Sequence, residues 1–412
     1  MMRTQKEDIL PKTLLVLGAS YSQIPLFKAA GRLGVHTIAA TIPGPYQGIG
    51  YADEVVWCDI TKPSEVLAAI EGRAIDGVTT CCMDVGTRSM AVVAKERSLP
   101  GPGIGGEAAV DKLIQKELFA GAGIRTAPYI PVRTPGELEE ACSRIGFPLM
   151  VKAVDLTGSR GVRRVDSPDE ARMAYESARS QTKKEYVLVE KFLQGEMFGI
   201  EAMVSHGQCV YVLPLGNDLH NGNPPFPQGH HVPWKRAGEL SGRICEFAAS
   251  ICRSLEFDDC AVDMDCMLAE DELWVIEATP RAGATAITDT VGIYYGIDYF
   301  EAIVKCALGE EVGHLFQRPG GANATWLISA PSDGILGEIL LPEELPDYVY
   351  DLSFNVKPGD PVRRMRSGAD RIGQLIVRGK DAQDCHERIS RILSQIKIRV
   401  AQDAGISGNS ML

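Results

Sequence analysis

Two short strands carry the residues with the clearest chemical meaning: AVDMDCML (261–268) and ELWVIEATPRAGAT (272–285), joined by an acidic turn. Alternate side chains of a strand share a face, so Asp263 and Asp265 point the same way, and the returning strand can set Glu277, Thr279 and Arg281 on a face opposite them. Two or three carboxylates then stand beside one arginine. Hard oxygen donors suit Mg²⁺, which takes one or two carboxylates and completes its shell with phosphate oxygens and water. A nucleotide is the natural source of those phosphates. An isolated D-x-D is more often a solvated hairpin, but these acids interrupt an apolar run, where a carboxylate without a cation is costly.

The elements that must hold these residues are bounded by composition. At 412 residues and 45% apolar content, the chain can build two or three domain cores. It contains no run of about 18 apolar residues, the length that spans a bilayer. The start MMRTQKEDILPK is too polar for a secretory signal, so the expected location is the cytoplasm, with no membrane partner. Eleven cysteines without a C-x-x-C spacing read as free thiols. The net charge of −12 argues against nucleic-acid binding, which rests on phosphate neutralisation.

Strand-like runs at 12–20, 35–42, 52–60 and 75–82 alternate with helix-like stretches at 24–34, 63–72 and 86–98. That order implies a parallel, doubly wound sheet. Gly18 stands alone where a dinucleotide fingerprint needs three glycines, which argues against an NAD site. Ser20, Tyr21 and Asp84 still fall at the carboxyl ends of strands, where such sheets meet ligands. LPGPGIGG (99–106) reads as a linker and a first boundary, and a helix is expected from Ala108 to about Ala122. APYIPV reads as a turn, and PLGNDLHNGNPPFPQGHHVPW (214–234) as a long functional loop. A helix over 238–257, strands and turns after 312, a final helix over 382–396 and a disordered tail complete the expectation.

DKLIQKELFAGAGIRTAPYI (111–130), GFPLMVKAV (146–154), TGSRGV (157–162), VEKFLQGE (189–196) and VDMDCML…VIEATPR (262–281) occur in this order. Lys152 ends a strand and Lys112 opens a helix, and both ammonium groups can converge on phosphate as point charges. TGSRGV is a glycine-bounded turn whose N–H groups can cradle phosphate. VLVEKFL reads as a strand crossing between subdomains, offering adenine a donor, an acceptor and apolar walls. The ordered set resembles the ATP-grasp ligases, among them D-alanine–D-alanine ligase, biotin carboxylase and L-amino-acid ligases. The implied fold is mixed α/β and α+β. It comprises a Rossmann-like domain over 1–106, an ATP-grasp domain over 107–312 with a smaller subdomain at about 126–191, a small C-terminal α/β domain over 313–400 and the tail 401–412.

The resemblance assigns roles residue by residue. Lys152 and Lys112 are the nucleotide lysines, and Ser159, Arg160 and Gly161 close over the triphosphate. Glu190, Lys191, Phe192 and Leu193 form the adenine hinge, and Glu196 meets the ribose. Asp265 and Glu277 are the metal acids, with Thr279 where relatives commonly carry asparagine, which puts a second metal ion in doubt. Arg281, with Gly283 close behind, is expected to hold the substrate carboxylate or its acyl-phosphate. Asp263 faces the acceptor pocket, either toward a substrate ammonium or as a buried capping acid. His230 and His231 lie in a segment like the substrate-covering loop of L-amino-acid ligases, and strand alternation lets only one of them point inward. ADRIG (369–373), with Arg366 nearby, either reaches the site or is a plain hairpin.

The expected activity is therefore ATP- and Mg²⁺- (or Mn²⁺-) dependent joining of a carboxylate to an amine through an acyl-phosphate, releasing ADP and phosphate, with an amino acid among the small-molecule substrates. Lys152 and Arg281 are the expected catalytic residues, and family resemblance adds a homodimer. Bicarbonate activation and a non-catalytic nucleotide-binding subunit stand as the alternatives.

Overall fold

A computed structural model describes residues 11–158 and 160–401 of the chain; the polar start, Ser159 and the expected tail beyond Ala401 lie outside the described residues. The N-terminal layer alternates β1 (Thr13–Leu17), α1 (Ile24–Arg32), β2 (His36–Thr41), β3 (Glu54–Trp57), α2 (Pro63–Ala69), β4 (Gly77–Thr79) and α3 (Thr87–Arg97). Its sheet is parallel in the order β3-β2-β1-β4. Both faces of β1 are buried. Leu14 and Val16 enter the core under α1, whereas Leu15 and Leu17 enter the one under α2 and α3. Period-2 alternation thus explains why the strand reads as one continuous apolar run.

The expected linker at 99–106 is instead a tightly packed crossing. The Gly103 N–H donates to the Glu256 carbonyl at 2.8 Å. A Cβ at Gly105 would collide with the Phe257 ring and the Leu255 carbonyl, and one at Gly106 with Ala91. Here glycine serves close approach rather than flexibility. The single helix expected from Ala108 divides into α4 (Gly105–Ala108) and α5 (Lys112–Gly121), because Asp111 caps α5 by accepting from the Leu113 N–H at 3.0 Å.

β5 (Tyr129–Val132), α6 (Pro135–Ile145), β6 (Leu149–Lys152), β7 (Val162–Val165), α7 (Pro168–Gln181) and β8 (Val187–Lys191) build a smaller sheet in the order β5-β8-β6-β7. The segment expected as a turn, APYIPV, contains the edge strand β5, a position that tolerates Pro131. Leu149, Val151, Val187 and Val189 pack among residues of α6 and α7. Their strand neighbours Met150, Lys152 and Glu190 therefore face the opposite way, into a cavity.

β9 (Glu196–Ser205), β10 (Gln208–His220), β11 (Phe226–Val232), α8 (Ala237–Ser254), β12 (Cys260–Ala269), β13 (Glu272–Thr279), α9 (Ile287–Tyr295) and α10 (Tyr299–Ala307) follow. The C-terminal part adds β14 (Ala322–Ile328), β15 (Gly334–Leu340), β16 (Val349–Phe354), β17 (Pro361–Val362), β18 (Gly373–Gly379), α11 (Ala382–Leu393) and β19 (Lys397–Ala401). The large sheet runs β13-β12-β9-β10-β11-β14-β18-β16, and β17-β15-β19 forms a small one. On β12, Val262, Met264 and Cys266 pack among residues of α8. Asp263 and Asp265 consequently face away from it.

The long loop expected over 214–234 is a correction. It is the β10–β11 hairpin, paired Gly216↔His231 and Asn217↔His230, with only 221–225 left as a turn. Its prolines and glycines misled because they occupy positions a sheet can absorb: Pro227 falls at the register shift beside Leu219, and Pro224 and Pro225 lie at the tip.

The glycine crossing yields a test. Gly105→Ala should cost about 1–3 kcal/mol through overpacking. Gly136→Ala, in the first turn of α6 with open space around the new methyl group, should be neutral or slightly stabilising. Urea denaturation of the two variants checks the contrast.

Candidate active site

A cavity of ≈ 400 Å³ lies between the small sheet and the β12–β13 hairpin. Its charged wall begins with Glu190, whose Oε2 sits 2.7 Å from the Lys152 Nζ and 3.4 Å from the Lys116 Nζ, all three side chains being buried. Burial alone would raise the Glu190 pKa, but the charges of Lys116 and Lys152 outweigh it and hold the carboxyl below its ordinary value. Lys116 is pulled down to about 8 by burial, which the Glu190 charge opposes and the Lys152 charge reinforces. Its ammonium group also donates to the Thr126 hydroxyl at 2.7 Å.

One helical turn earlier, Lys112 meets the Glu277 carboxylate at 3.0 Å and donates to the Leu156 carbonyl at 2.9 Å. Burial disfavours the Lys112 charge, yet the neighbouring Glu277 keeps its pKa above that of an ordinary lysine. Across the β12–β13 ladder Glu277 is the register partner of Asp265, and both line the cavity. A bulge immediately after this pair, between Asp265 and Cys266, breaks the regular ladder. Burial, then the charges of Glu277 and Asp263, push the Asp265 carboxyl well above its ordinary range. Thr279 is two residue pairs further along, opposite Asp263, and its buried hydroxyl has no hydrogen-bond partner. Glu190 Oε1 is likewise buried and unpartnered. Ammonium groups on one side, a carboxylate pair on the other and orphaned polar atoms nearby fit a Mg²⁺-bound polyphosphate.

Beyond the carboxylates, a parallel bridge between Cys81 and Ala282 brings the end of β4 to the segment following β13. There the Arg281 guanidinium binds Asp84 through Nε at 2.7 Å and Nη2 at 2.6 Å, and binds Asp263 through Nη1. The Asp263 carboxylate is thus engaged by Arg281 in this structure. The Gly283 N–H donates to the buried Glu201 carboxyl at 2.7 Å. A Cβ at Gly283 would strike Glu201, so this glycine is a close-packing position.

The two histidines separate as alternation requires. His230 is buried and contacts Asn217 at 2.8 Å and Thr285 at 3.0 Å; His231 turns to Asp218. Neither lines the cavity, whereas Leu219, Pro224 and Pro225 around the hairpin tip do. Lys191, Phe192 and Leu193 also line it, and the Lys191 ammonium group binds the Gly146 and Phe147 carbonyls. Glu196 is a correction: it accepts from the Trp234 indole at 2.7 Å and pairs with Lys235 at 3.1 Å, because Met197, its strand neighbour, takes the cavity side. The Arg160 side chain folds back onto the Thr157 carbonyl, and Gly158, rather than Arg160 or Gly161, lines the cavity. Arg366 is exposed and pairs with Asp333 at 2.6 Å, away from the cavity wall.

Sequence reasoning missed Lys116, although its i, i+4 spacing from Lys112 on one helix signals a shared face. Arg164 has no signal in the sequence beyond being one of two adjacent arginines. Arg164 lines the cavity and lies over the Phe192 ring, 4.5 Å from its centroid. A second cavity of ≈ 660 Å³ joins Ser20 and Tyr21 to Lys357 and Arg371, a meeting of distant segments with no local signature.

The family model for the phosphoribosylglycinamide synthetase ATP-grasp (A) domain matches residues 110–221, and that for L-amino acid ligase C-terminal domain 2 matches residues 326–401. Phosphoribosylglycinamide synthetase from Anaerococcus prevotii is 30% identical in sequence; the match covers 95% of this chain and 100% of that one, with a TM-score of 0.79. L-amino acid ligase from Bacillus licheniformis superposes with a TM-score of 0.81 over 95% of this chain and 99% of that one, at 18% identity, a likeness of fold. Formate-dependent phosphoribosylglycinamide formyltransferase from Parasynechococcus marenigrum is 22% identical over 404 residues, 94% of this chain and 98% of that protein.

Two outcomes follow from the buried charges. Glu190→Gln strands two ammonium groups and should destabilise the protein by about 3–5 kcal/mol, with partial recovery on adding Lys116→Met; urea titrations that find the single variant as stable as wild type would contradict the buried triad. Burial lowers the His230 pKa from 6.5 to about 4, helped by the His231 charge and opposed by Asp218. The unfolded chain therefore takes up a proton below pH 6.5 that the folded ring refuses, so stability falls as pH drops toward 4. The slope from this group is at most about 1.4 kcal/mol per pH unit. His230→Asn should flatten it in urea midpoints measured across that interval, and parallel curves would place the folded pKa near the unfolded one.

Proposed function

Because the chain belongs to the ATP-grasp ligases, carboxylate–amine ligases that form carbon–nitrogen bonds, we propose that it joins a carboxylate to an amine through an acyl-phosphate, with an amino acid among its substrates. One observation carries this reading: Lys112, Lys116 and Lys152 face one cavity together with the Asp265–Glu277 pair. The match of residues 326–401 to an L-amino acid ligase domain supports the choice of an amino acid.

The triphosphate lies among the three lysines, which exchange part of their contact with Glu190 and Glu277 for phosphate oxygens. Adenine takes the end walled by Phe192, Leu193 and the Arg164 stack. Asp265 and Glu277 would hold Mg²⁺, with the Thr279 hydroxyl two residue pairs along the ladder; the ion, once bound, would supply positive charge to the phosphate oxygens. A substrate carboxylate oxygen attacks the γ-phosphorus and ADP departs. The amine then attacks the acyl carbon, phosphate leaves and the amine loses its proton. Lys112 and Lys152 stabilise charge on the transferring group. Arg281 is clamped by Asp84 and Asp263, which fixes its position for the substrate carboxylate without side-chain reorganisation. Leu219 and Pro224 from the hairpin tip help exclude water from the acyl-phosphate.

A phosphate-release assay over pairs of amino acids, with bicarbonate as a further acceptor arm, should give ADP, phosphate and an amide in equal amounts. Glu277→Gln should lower turnover at least about 100-fold, the scale on which metal-site contacts act, while leaving the fold intact. Stoichiometric AMP and pyrophosphate would rule out the acyl-phosphate route, and turnover with bicarbonate alone would rule out the amino acid.

A further inference from the structure

We propose that Asp218, His231 and His386 form a binding site for one divalent transition-metal ion of the zinc class, which fastens α11 to the β10–β11 hairpin. The three side chains come from three elements, and their ligand atoms all lie within 4.8 Å of one another. His231 Nδ1 is 3.2 Å, and His386 Nε2 2.9 Å, from the same oxygen, Asp218 Oδ2. Tetrahedral zinc with bonds of about 2.0–2.2 Å separates its ligands by roughly 3.3 Å. Both distances are already near that value, so an ion entering between the three atoms needs only small side-chain rotations.

The backbone makes room for the arrangement. Asp218 and His231 are diagonal neighbours across the β10–β11 ladder, and the residue directly opposite each is a glycine: Gly229 faces Asp218 and Gly216 faces His231. A Cβ at Gly216 would collide with the His231 ring, so that ring lies where a side chain would otherwise stand. α11 then lays His386 over the pair, its ring centroid 4.9 Å from that of His231. Side-chain exposure rises from 13% at His231 through 20% at Asp218 to 37% at His386, which opens the site to solvent on the helix side. Two imidazoles and one carboxylate match a borderline ion such as Zn²⁺ rather than Mg²⁺, and leave the fourth position to water. Among the described residues no other group of histidine, cysteine and carboxylate side chains converges in this way. The site involves His231, the histidine that turns away from Thr285, and its existence is independent of the proposed ligase chemistry.

The test uses the full chain, stripped with chelator and then saturated with Mg²⁺ and ADP so that the nucleotide cavity takes up no added ion. Titration with Co²⁺ should produce the visible absorption of a four-coordinate N/O site at one ion per chain, abolished by one equivalent of Zn²⁺. His386→Gln, on a partly exposed helix position, and Asp218→Asn should each weaken Zn²⁺ binding at least tenfold while retaining wild-type circular dichroism. If Asp218→Asn fails to fold, His386→Gln decides. No uptake by the wild type, or Zn²⁺ affinity unchanged in His386→Gln, overturns the site.

Discussion

A carboxylate removed from water must find cations, and Glu190 finds two. Its pairing with Lys116 and Lys152 ties β8 to β6 and to α5, so the small sheet and the helix beneath the large sheet share one buried charge network. Lys112 repeats the arrangement with Glu277 on the opposite wall. The Glu190 set, removed from water on all sides, does not tolerate loss of its acid, because a lone buried charge costs more than the pair contributes; Glu277 keeps about a third of its side chain in contact with solvent. On the proposed reading, the phosphate site is therefore assembled in advance. The ammonium groups are positioned before nucleotide arrives and need little reorganisation when it does.

Everything around that network follows from strand alternation. Leu149 and Val151 pack under the helices of the small sheet while Met150 and Lys152 face the cavity; Val262, Met264 and Cys266 pack on α8 while Asp263 and Asp265 face away. A slip of one residue in either strand would exchange core for site, so the apolar faces that stabilise the two sheets also fix the register of the charged ones. The same rule separates His230 from His231 and Glu196 from Met197.

This is also why part of the site was legible in the sequence and part was not. The pairing of Asp265 with Glu277 could be read because both lie on a short hairpin whose turn sets the register. The order of motifs over 111–281 identified the family. Arg281 was legible as a residue, but its partner Asp84 is 197 positions away in the loop that follows β4, and no local pattern announces the contact. The 214–234 segment was misread because composition reports turn-forming residues without saying that neighbouring strands flank them; β9 and β14 pair with both edges of the hairpin and hold it in the sheet. Glu196 was assigned by resemblance against its own strand parity, which favours Met197 for the cavity. Lys116 shares a helix face with Lys112 by its i, i+4 spacing, but its burial beside Glu190 depends on β8 and is not written in that spacing.

The central claim is that this cavity binds a nucleotide together with a metal ion held by Asp265 and Glu277. Calorimetric titration of the protein with ADP, with and without Mg²⁺, tests it without knowledge of the substrates. The account predicts an ADP affinity at least about tenfold higher with Mg²⁺, a differential of about 1.4 kcal/mol. An ADP affinity indifferent to Mg²⁺ would contradict it.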